Sequence, residues 1–363
     1  DLHVVELFHG PTLAFKDVAL QLLGNLFDHV LEERDERLNI LGATSGDTGS
    51  AGIAAVRGRD RVKICVLFPD QRTSRLQELQ MTSVLDENVH CLAVEGSFDD
   101  CQGIMKSIFG DLPFKERHRL GAINSVNCAR LLAQVVYYFY AWARVGPDGG
   151  PVSFSVPTGN FGDIFAGYLA QRMGLPVDKL VLATNENDIL RVFFETGRYA
   201  RGAVHQTISP SMDIQVASNF ERYLYYLLDE DSEALSTFMS DFATHGCASV
   251  DSDGPVSPLF VADCANMDDT LREIKRVYDA DGYLLDPHTA VGVCVGRRKR
   301  IQSPLICLAT AHPAKFPEAI ERALGADLAR HDALSALDAA KTRKVVIPAS
   351  EQAVKDYIDT HCA

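Results

Sequence analysis

Chemistry in this sequence gathers around one lysine, two glycine-rich loops and one isolated arginine. Lys16 lies in Phe8-His9-Gly10-Pro11-Thr12-Leu13-Ala14-Phe15-Lys16-Asp17, behind a Gly-Pro turn and among apolar neighbours. A lysine against an apolar wall loses its proton more readily and becomes a nucleophile. The alternative is a surface lysine that lays its stem over apolar neighbours and pairs its head with Asp17. Gly46, Gly49 and Gly52 are spaced by three, and so are Gly159 and Gly162. Such loops at helix starts let backbone N–H groups converge on an anion, although a tight turn uses the same residues. Neither loop is a Gly-Lys-Ser/Thr phosphate loop or a G-x-G-x-x-G fingerprint. Arg130 stands almost alone among apolar residues at the start of a long helical pattern. A guanidinium there is either an ion-pair partner or a clamp on a phosphate. His312, beside Pro313, and His288 are expected to make structural hydrogen bonds rather than to shuttle protons. The histidines show no ligand spacing, so no metal is expected.

The elements that must position these residues alternate between short β-branched runs and helical patterns. Leu38–Leu41 reads as a strand entering the loop Gly42-Ala43-Thr44-Ser45-Gly46-Asp47-Thr48-Gly49, and a small-residue helix, Ser50–Val56, follows. Val62–Phe68 and Val89–Val94 read as strands, and Thr73–Val84 and Phe98–Phe109 as helices. Further on, Asn127–Val145 is a long apolar helix. Val152–Val156 is a strand running into Thr158-Gly159-Asn160-Phe161-Gly162-Asp163 and a helix to Met173. Lys179–Thr184 and Leu305–Ala309 are later strands, the last ending at Thr310. Strand–helix alternation at this spacing predicts parallel βαβ units. The expectation is an α/β protein with a larger domain from 1–35 and 121–363 and a smaller one at 36–120.

Composition bounds the possibilities. At 363 residues, the chain has length for about two domains of ~150 residues. With 47% hydrophobic and 23% charged residues it can offset its chain entropy, so disorder is excluded. The net charge of −14 argues against binding to phosphate backbones of nucleic acids. The longest apolar run, Val135–Ala143, is far short of the ~20 residues a membrane helix needs. Nine scattered cysteines without C-x-x-C pairs read as reduced thiols of a cytoplasmic protein.

Six segments, in order along the chain, resemble threonine synthase of the longer bacterial and fungal type. They are His9–Asp17, Ala43–Gly49, Pro157–Asp163, Ser209-Pro210-Ser211-Met212-Asp213-Ile214, Asp286-Pro287-His288-Thr289-Ala290 and Thr310-Ala311-His312-Pro313-Ala314-Lys315-Phe316. That type carries more chain before the lysine motif. The sequence, starting at Asp1, is therefore expected to lack a segment that covers apolar surface. The resemblance implies a tryptophan-synthase-β-like (fold type II) pyridoxal-phosphate enzyme, a carbon–oxygen lyase converting O-phospho-L-homoserine and water to L-threonine and phosphate. It implies Lys16 as the lysine that holds the cofactor as a Schiff base. Gly159, Asn160, Phe161, Gly162 and Asp163 match the cradle of the cofactor phosphate, and Thr310 the hydroxyl beside the pyridine nitrogen. Asp47 stands where related enzymes place an asparagine near the cofactor 3′-oxygen. On the same grounds Arg130, Asn124, Ser125 and Thr48 are expected at the substrate phosphate, and Thr44 and Ser45 at the substrate carboxylate.

Overall fold

The computed structural model describes residues 2–124, 127–252 and 254–362. The chain forms two compact units, Asp1–Leu7 with Leu131–Ala329 and Phe8–Arg130 with Arg330–Ala363. Each holds a five-stranded sheet whose described pairings are all parallel.

In the first unit the spatial order is Leu2–Glu6, Leu305–Ala309, Val152–Pro157, Val177–Thr184 and Phe260–Cys264. The central strands are buried on both faces, as continuous apolar runs in parallel sheets require. The helix Pro287–Arg298 lies flush on this sheet because its contact face is glycine. A Cβ on Gly292 would stand 2.9 Å from Cys307 Sγ, and one on Gly296 2.8 Å from Leu305 Cδ2. Asp286 caps the helix by accepting from the His288 and Thr289 N–H groups, and Pro287 starts it.

In the second unit the order is Val345–Pro348, Val89–Glu95, Val62–Pro69, Leu38–Ala43 and Leu120–Gly121. Alternation along the strands splits the core in two. Ile40, Ile64, Val66 and Phe68 face one side, and Leu41, Ala43, Cys65 and Leu67 the other.

The division between units differs from the one expected from sequence. Residues 8–35, 121–130 and 330–363 belong with 36–120, and packing supplies the reason. The helix Lys16–Arg34 presses on the helix Asp47–Val56 so closely that a Cβ on Gly24 would lie 2.3 Å from the Ala55 carbonyl oxygen. Near the C-terminus, Val345–Pro348 extends the sheet beside Val89–Glu95, and Val354 and Ile358 enter the core around Leu92 and Val94.

Both glycine-rich loops leave the carboxyl end of a central strand, and Thr310 does the same from a neighbouring one. That is where parallel α/β sheets place ligands. Among the described residues, no helix is long and apolar enough to cross a membrane.

Candidate active site

Lys16 opens the helix Lys16–Arg34, and the turn before it is fastened by its neighbour in the chain. Asp17, almost fully buried, accepts from the Thr12 N–H at 2.9 Å and from the Thr12 hydroxyl at 2.7 Å. Gly10 is required there, since a Cβ would fall 2.4 Å from Asp17 Cβ. The Lys16 Nζ lies 3.3 Å from Asp47 Oδ2 and 5.3 Å from the centre of the Phe15 ring. Asp47 is itself aimed: its Oδ1 accepts from Gln77 Nε2 at 3.0 Å, while Ser74 Oγ donates to Gln77 Oε1 at 2.9 Å and sets that amide. Lys16 and Asp47, 31 residues apart in the chain, are thus brought together within one unit.

The loop after Leu38–Ala43 folds around Thr44. Its buried Oγ1 accepts from the N–H groups of Gly46 and Gly49 at 3.0 and 2.9 Å. Gly46 has φ +149°, a conformation that favours glycine. The helix starts at Asp47 rather than at Ser50, so Asp47 sits in the first turn, where a carboxylate is favoured. Thr44 therefore shapes the loop and has a single O–H left to offer a ligand. Ser45 is exposed and Thr48 half-buried.

Of the residues expected at a substrate phosphate, Arg130 is 3% exposed and donates from Nη1 to the Ile123 carbonyl at 2.9 Å. Asn124 donates from Nδ2 to Met105 Sδ at 3.5 Å, a weak acceptor, and its buried Oδ1 has no hydrogen-bond partner among the described residues. Ser125 lies outside the described residues.

In the other unit, the loop after Val152–Pro157 turns sharply. Phe161 adopts a left-handed backbone (φ +68°) at the start of the helix Gly162–Arg172. A Cβ on Gly159 would stand 2.7 Å from the Ser211 carbonyl oxygen, and the Gly162 N–H donates to Asn160 Oδ1 at 3.1 Å. The first-turn N–H groups have no intrahelical acceptor, so the loop offers donors and a side-chain-free wall. This donor set fits a phosphate ester.

Two residues expected at that phosphate have their side chains turned into the core. The Phe161 ring is fully buried, 5.9 Å from the rings of both Phe194 and Phe260, and anchors the turn. The Asp163 carboxyl turns into the core, where Oδ1 accepts from the Tyr137 and Tyr138 hydroxyls at 2.6 and 3.1 Å. Its Oδ2 is buried without a hydrogen-bond partner among the described residues. Burial pushes the Asp163 carboxyl up to about 6, against the pull of the two tyrosine hydrogen bonds. A charged carboxylate would oppose a phosphate at the same helix start, and this setting favours its neutral form.

Thr310 follows Leu305–Ala309. Its N–H donates to Thr289 Oγ1 at 3.3 Å, and its hydroxyl has no hydrogen-bond partner among the described residues. His288 is structural: Nδ1 meets Asp286 Oδ1 at 3.0 Å while Nε2 accepts from the Ser211 N–H at 3.2 Å. That pattern makes Nε2 the acceptor and Nδ1 the donor. Sequence reading missed a polar cluster at the end of Val177–Thr184. There Asp213 Oδ1 accepts from Asn185 and Asn187 side chains at 2.7 and 3.1 Å, and ties down the Ser209–Met212 turn. In the sequence, the Asn residues at 185 and 187 and the Ser209–Ile214 segment gave its parts but not their meeting.

Residues 3–245 match the family model described as pyridoxal-phosphate dependent enzyme, and residues 289–358 the model described as threonine synthase, C-terminal. A threonine synthase of Schizosaccharomyces pombe is 49% identical over 89% of this chain and 70% of its own length. One from Pseudomonas aeruginosa is 48% identical over 99% of this chain and 77% of its own. A crystal structure of threonine synthase from Brucella melitensis with pyridoxal phosphate bound superposes with a TM-score of 0.93, at 49% identity over 99% of this chain and 78% of that one.

Proposed function

The chain belongs to the threonine synthases, a family of pyridoxal-phosphate-dependent lyases, and from that premise we propose that it converts O-phospho-L-homoserine and water to L-threonine and phosphate. The observation that carries the reading is the match along nearly the whole chain to a threonine synthase solved with its cofactor bound.

Lys16 is the residue that attaches the cofactor. Gly159, Asn160, Gly162 and the first-turn N–H groups after them hold its phosphate, and Thr310 lies beside its pyridine nitrogen. Bound, pyridoxal phosphate supplies an electron sink for the carbon acids of the substrate. The remaining work falls to side chains. The Lys16 amine takes the proton from the substrate Cα and then moves protons at Cβ. Asp47, 3.3 Å away and held by Gln77, steadies the ammonium form of that amine between transfers. Thr310, a neutral hydroxyl, leaves the ring nitrogen without the carboxylate that would keep it protonated. Arg130, Asn124, Ser125 and Thr48 receive the leaving phosphate, and Thr44 and Ser45 the substrate carboxylate. Asp163, buried and turned toward Tyr137 and Tyr138, keeps its carboxyl out of the phosphate cradle.

The net charge of −14 supports a small-molecule substrate rather than a nucleic acid. We place the enzyme in the cytoplasm, on the strength of nine cysteines that are all free thiols. The test is product analysis with O-phospho-L-homoserine. Threonine and phosphate in equal amounts are expected. Phosphate release with 2-oxobutanoate and no threonine would assign the chain to an eliminating lyase instead.

A further inference from the structure

Although the chain carries a net charge of −14, cations crowd one rim of the second unit. The sheet register explains why. Leu38 pairs with Val62 and Asn39 with Leu120, so three adjacent parallel strands begin almost flush. The residue before each is an arginine: Arg37, Arg61 and Arg119. The backbone confirms the alignment, with Leu38 N–H donating to the Arg61 carbonyl at 2.9 Å and Asn39 N–H to the Arg119 carbonyl at 3.2 Å.

These arginines line a cavity of about 490 Å³ with Asp35 and Asp60. It runs into a second hollow of about 190 Å³ that adds Lys63 and Arg117. Five cations therefore face two lining carboxylates. Arg61 pairs with Asp35 at 3.0 Å, and Arg117 with Asp359 at 2.9 Å. The exposed side chains of Arg37 and Arg119 make no hydrogen bond or ion pair with any described residue.

The floor is built rather than loose. Asn39 Nδ2 donates to the carbonyls of His118 and Cys362 at 2.7 and 2.9 Å, and His118 Nε2 lies 2.7 Å from Asp359 Oδ1. Arg119 is held with φ +48°, a left-handed backbone uncommon for a residue with a side chain. Strain of that kind is retained where the surrounding structure over-determines it.

We propose that this rim is a second anion site, which takes a small molecule bearing two or more phosphate groups. Guanidinium forks match phosphate oxygens in pairs, and two such forks stand unpaired on one cavity. The volume exceeds what a single phosphate fills, and Asp35 and Asp60 offer acceptors for hydroxyl or amino groups on the same ligand. The site is separate from the catalytic loops. It lies at the amino end of Leu38–Ala43, whereas Thr44–Thr48 leave the carboxyl end, about 20 Å away along six residues.

The holoenzyme is titrated calorimetrically with tripolyphosphate and, separately, with ATP. Both probes should bind with Kd below about 1 mM at about 50 mM salt and weaken at about 200 mM. Tighter binding of ATP would mean that the nucleoside also docks, and equal binding that the phosphates alone are read. Arg37→Ser with Arg119→Gly should weaken either probe by about tenfold or more while kcat/KM stays unchanged. Glycine relieves the left-handed backbone at 119, so this variant keeps its fold. Unaltered probe binding in the double variant, or no binding to the parent protein up to about 1 mM, overturns the proposal.

Discussion

Replacing Asp163 with asparagine should change how stability depends on pH, and the buried carboxyl sets the size of the change. Its pKa is about 6 in the fold against 3.8 for a free side chain, with burial the chief cause. Ionising it inside the protein therefore costs about 3 kcal/mol. The sign follows from the direction. A folded-state pKa above the unfolded one stabilises the protein below about pH 4, and that contribution is lost as pH rises through about 6. Above about pH 7 the parent carries the full cost of a buried carboxylate with one unpartnered oxygen. The amide of Asp163→Asn does not titrate. It keeps an acceptor for Tyr137 and Tyr138 but buries an N–H₂ without an acceptor where Oδ2 was, a penalty of about 1–3 kcal/mol. At about pH 4 the variant should thus be less stable than the parent by about 1–3 kcal/mol. By about pH 8 it should regain about 3 kcal/mol relative to the parent and equal or exceed it. Urea melts of both proteins at closely spaced pH values measure the difference directly. A difference that stays constant across this range would refute the reasoning, because it would mean that Asp163 ionises in the fold as easily as in water.

Other consequences follow from the same geometry. Gly159→Ala would put a methyl group 2.7 Å from the Ser211 carbonyl oxygen and 3.1 Å from Met212 Cα, both backbone. The cradle must shift, so pyridoxal phosphate affinity should fall by about tenfold or more, as read by fluorescence titration of the cofactor-free protein. Arg130→Leu should lower kcat/KM for O-phospho-L-homoserine by at least about tenfold while leaving the cofactor's absorbance nearly intact, and Arg130→Lys should restore only part. Should Arg130 serve only to hold the Ile123 carbonyl, a lowered melting temperature would accompany equal losses on phosphorylated and unphosphorylated substrates. Among the thiols, exposed Cys128 should react with a maleimide in the native protein well before buried Cys91 and Cys101, which burial pushes up to about 12 and about 11. Peptide mapping of the labelled protein checks that order.

Much of the fold around the candidate site was legible in the sequence, because glycine spacing and strand–helix alternation are local signals. Both loops leave strands as expected, and the strands at 62–68, 89–94 and 305–309 lie within a residue or two of their expected bounds. What escaped was set by contacts remote in sequence. Leu2–Glu6 is too short and too half-buried to announce itself, and it becomes a strand by pairing with Leu305–Ala309. Val345–Pro348 likewise joins the sheet beside Val89–Glu95, which moves the domain boundary. At the candidate site, the loop motifs pointed to residues but not to atoms. Asp163 reads as part of an anion cradle, yet its carboxyl meets Tyr137 and Tyr138 from another helix, and no spacing encodes that meeting. Gln77, which aims Asp47 at Lys16, is one polar residue among many on a surface helix until the fold buries it.

The proposed conversion requires that phosphate leave from the γ-carbon and that water add at the β-carbon. Turnover of O-phospho-L-homoserine in ¹⁸O-labelled water tests it most directly, with mass spectrometry of both products. The account predicts one ¹⁸O atom in the threonine hydroxyl and none in the phosphate, because the carbon–oxygen bond is the one that breaks. Label in the phosphate together with unlabelled homoserine would contradict it, since that is hydrolysis at phosphorus.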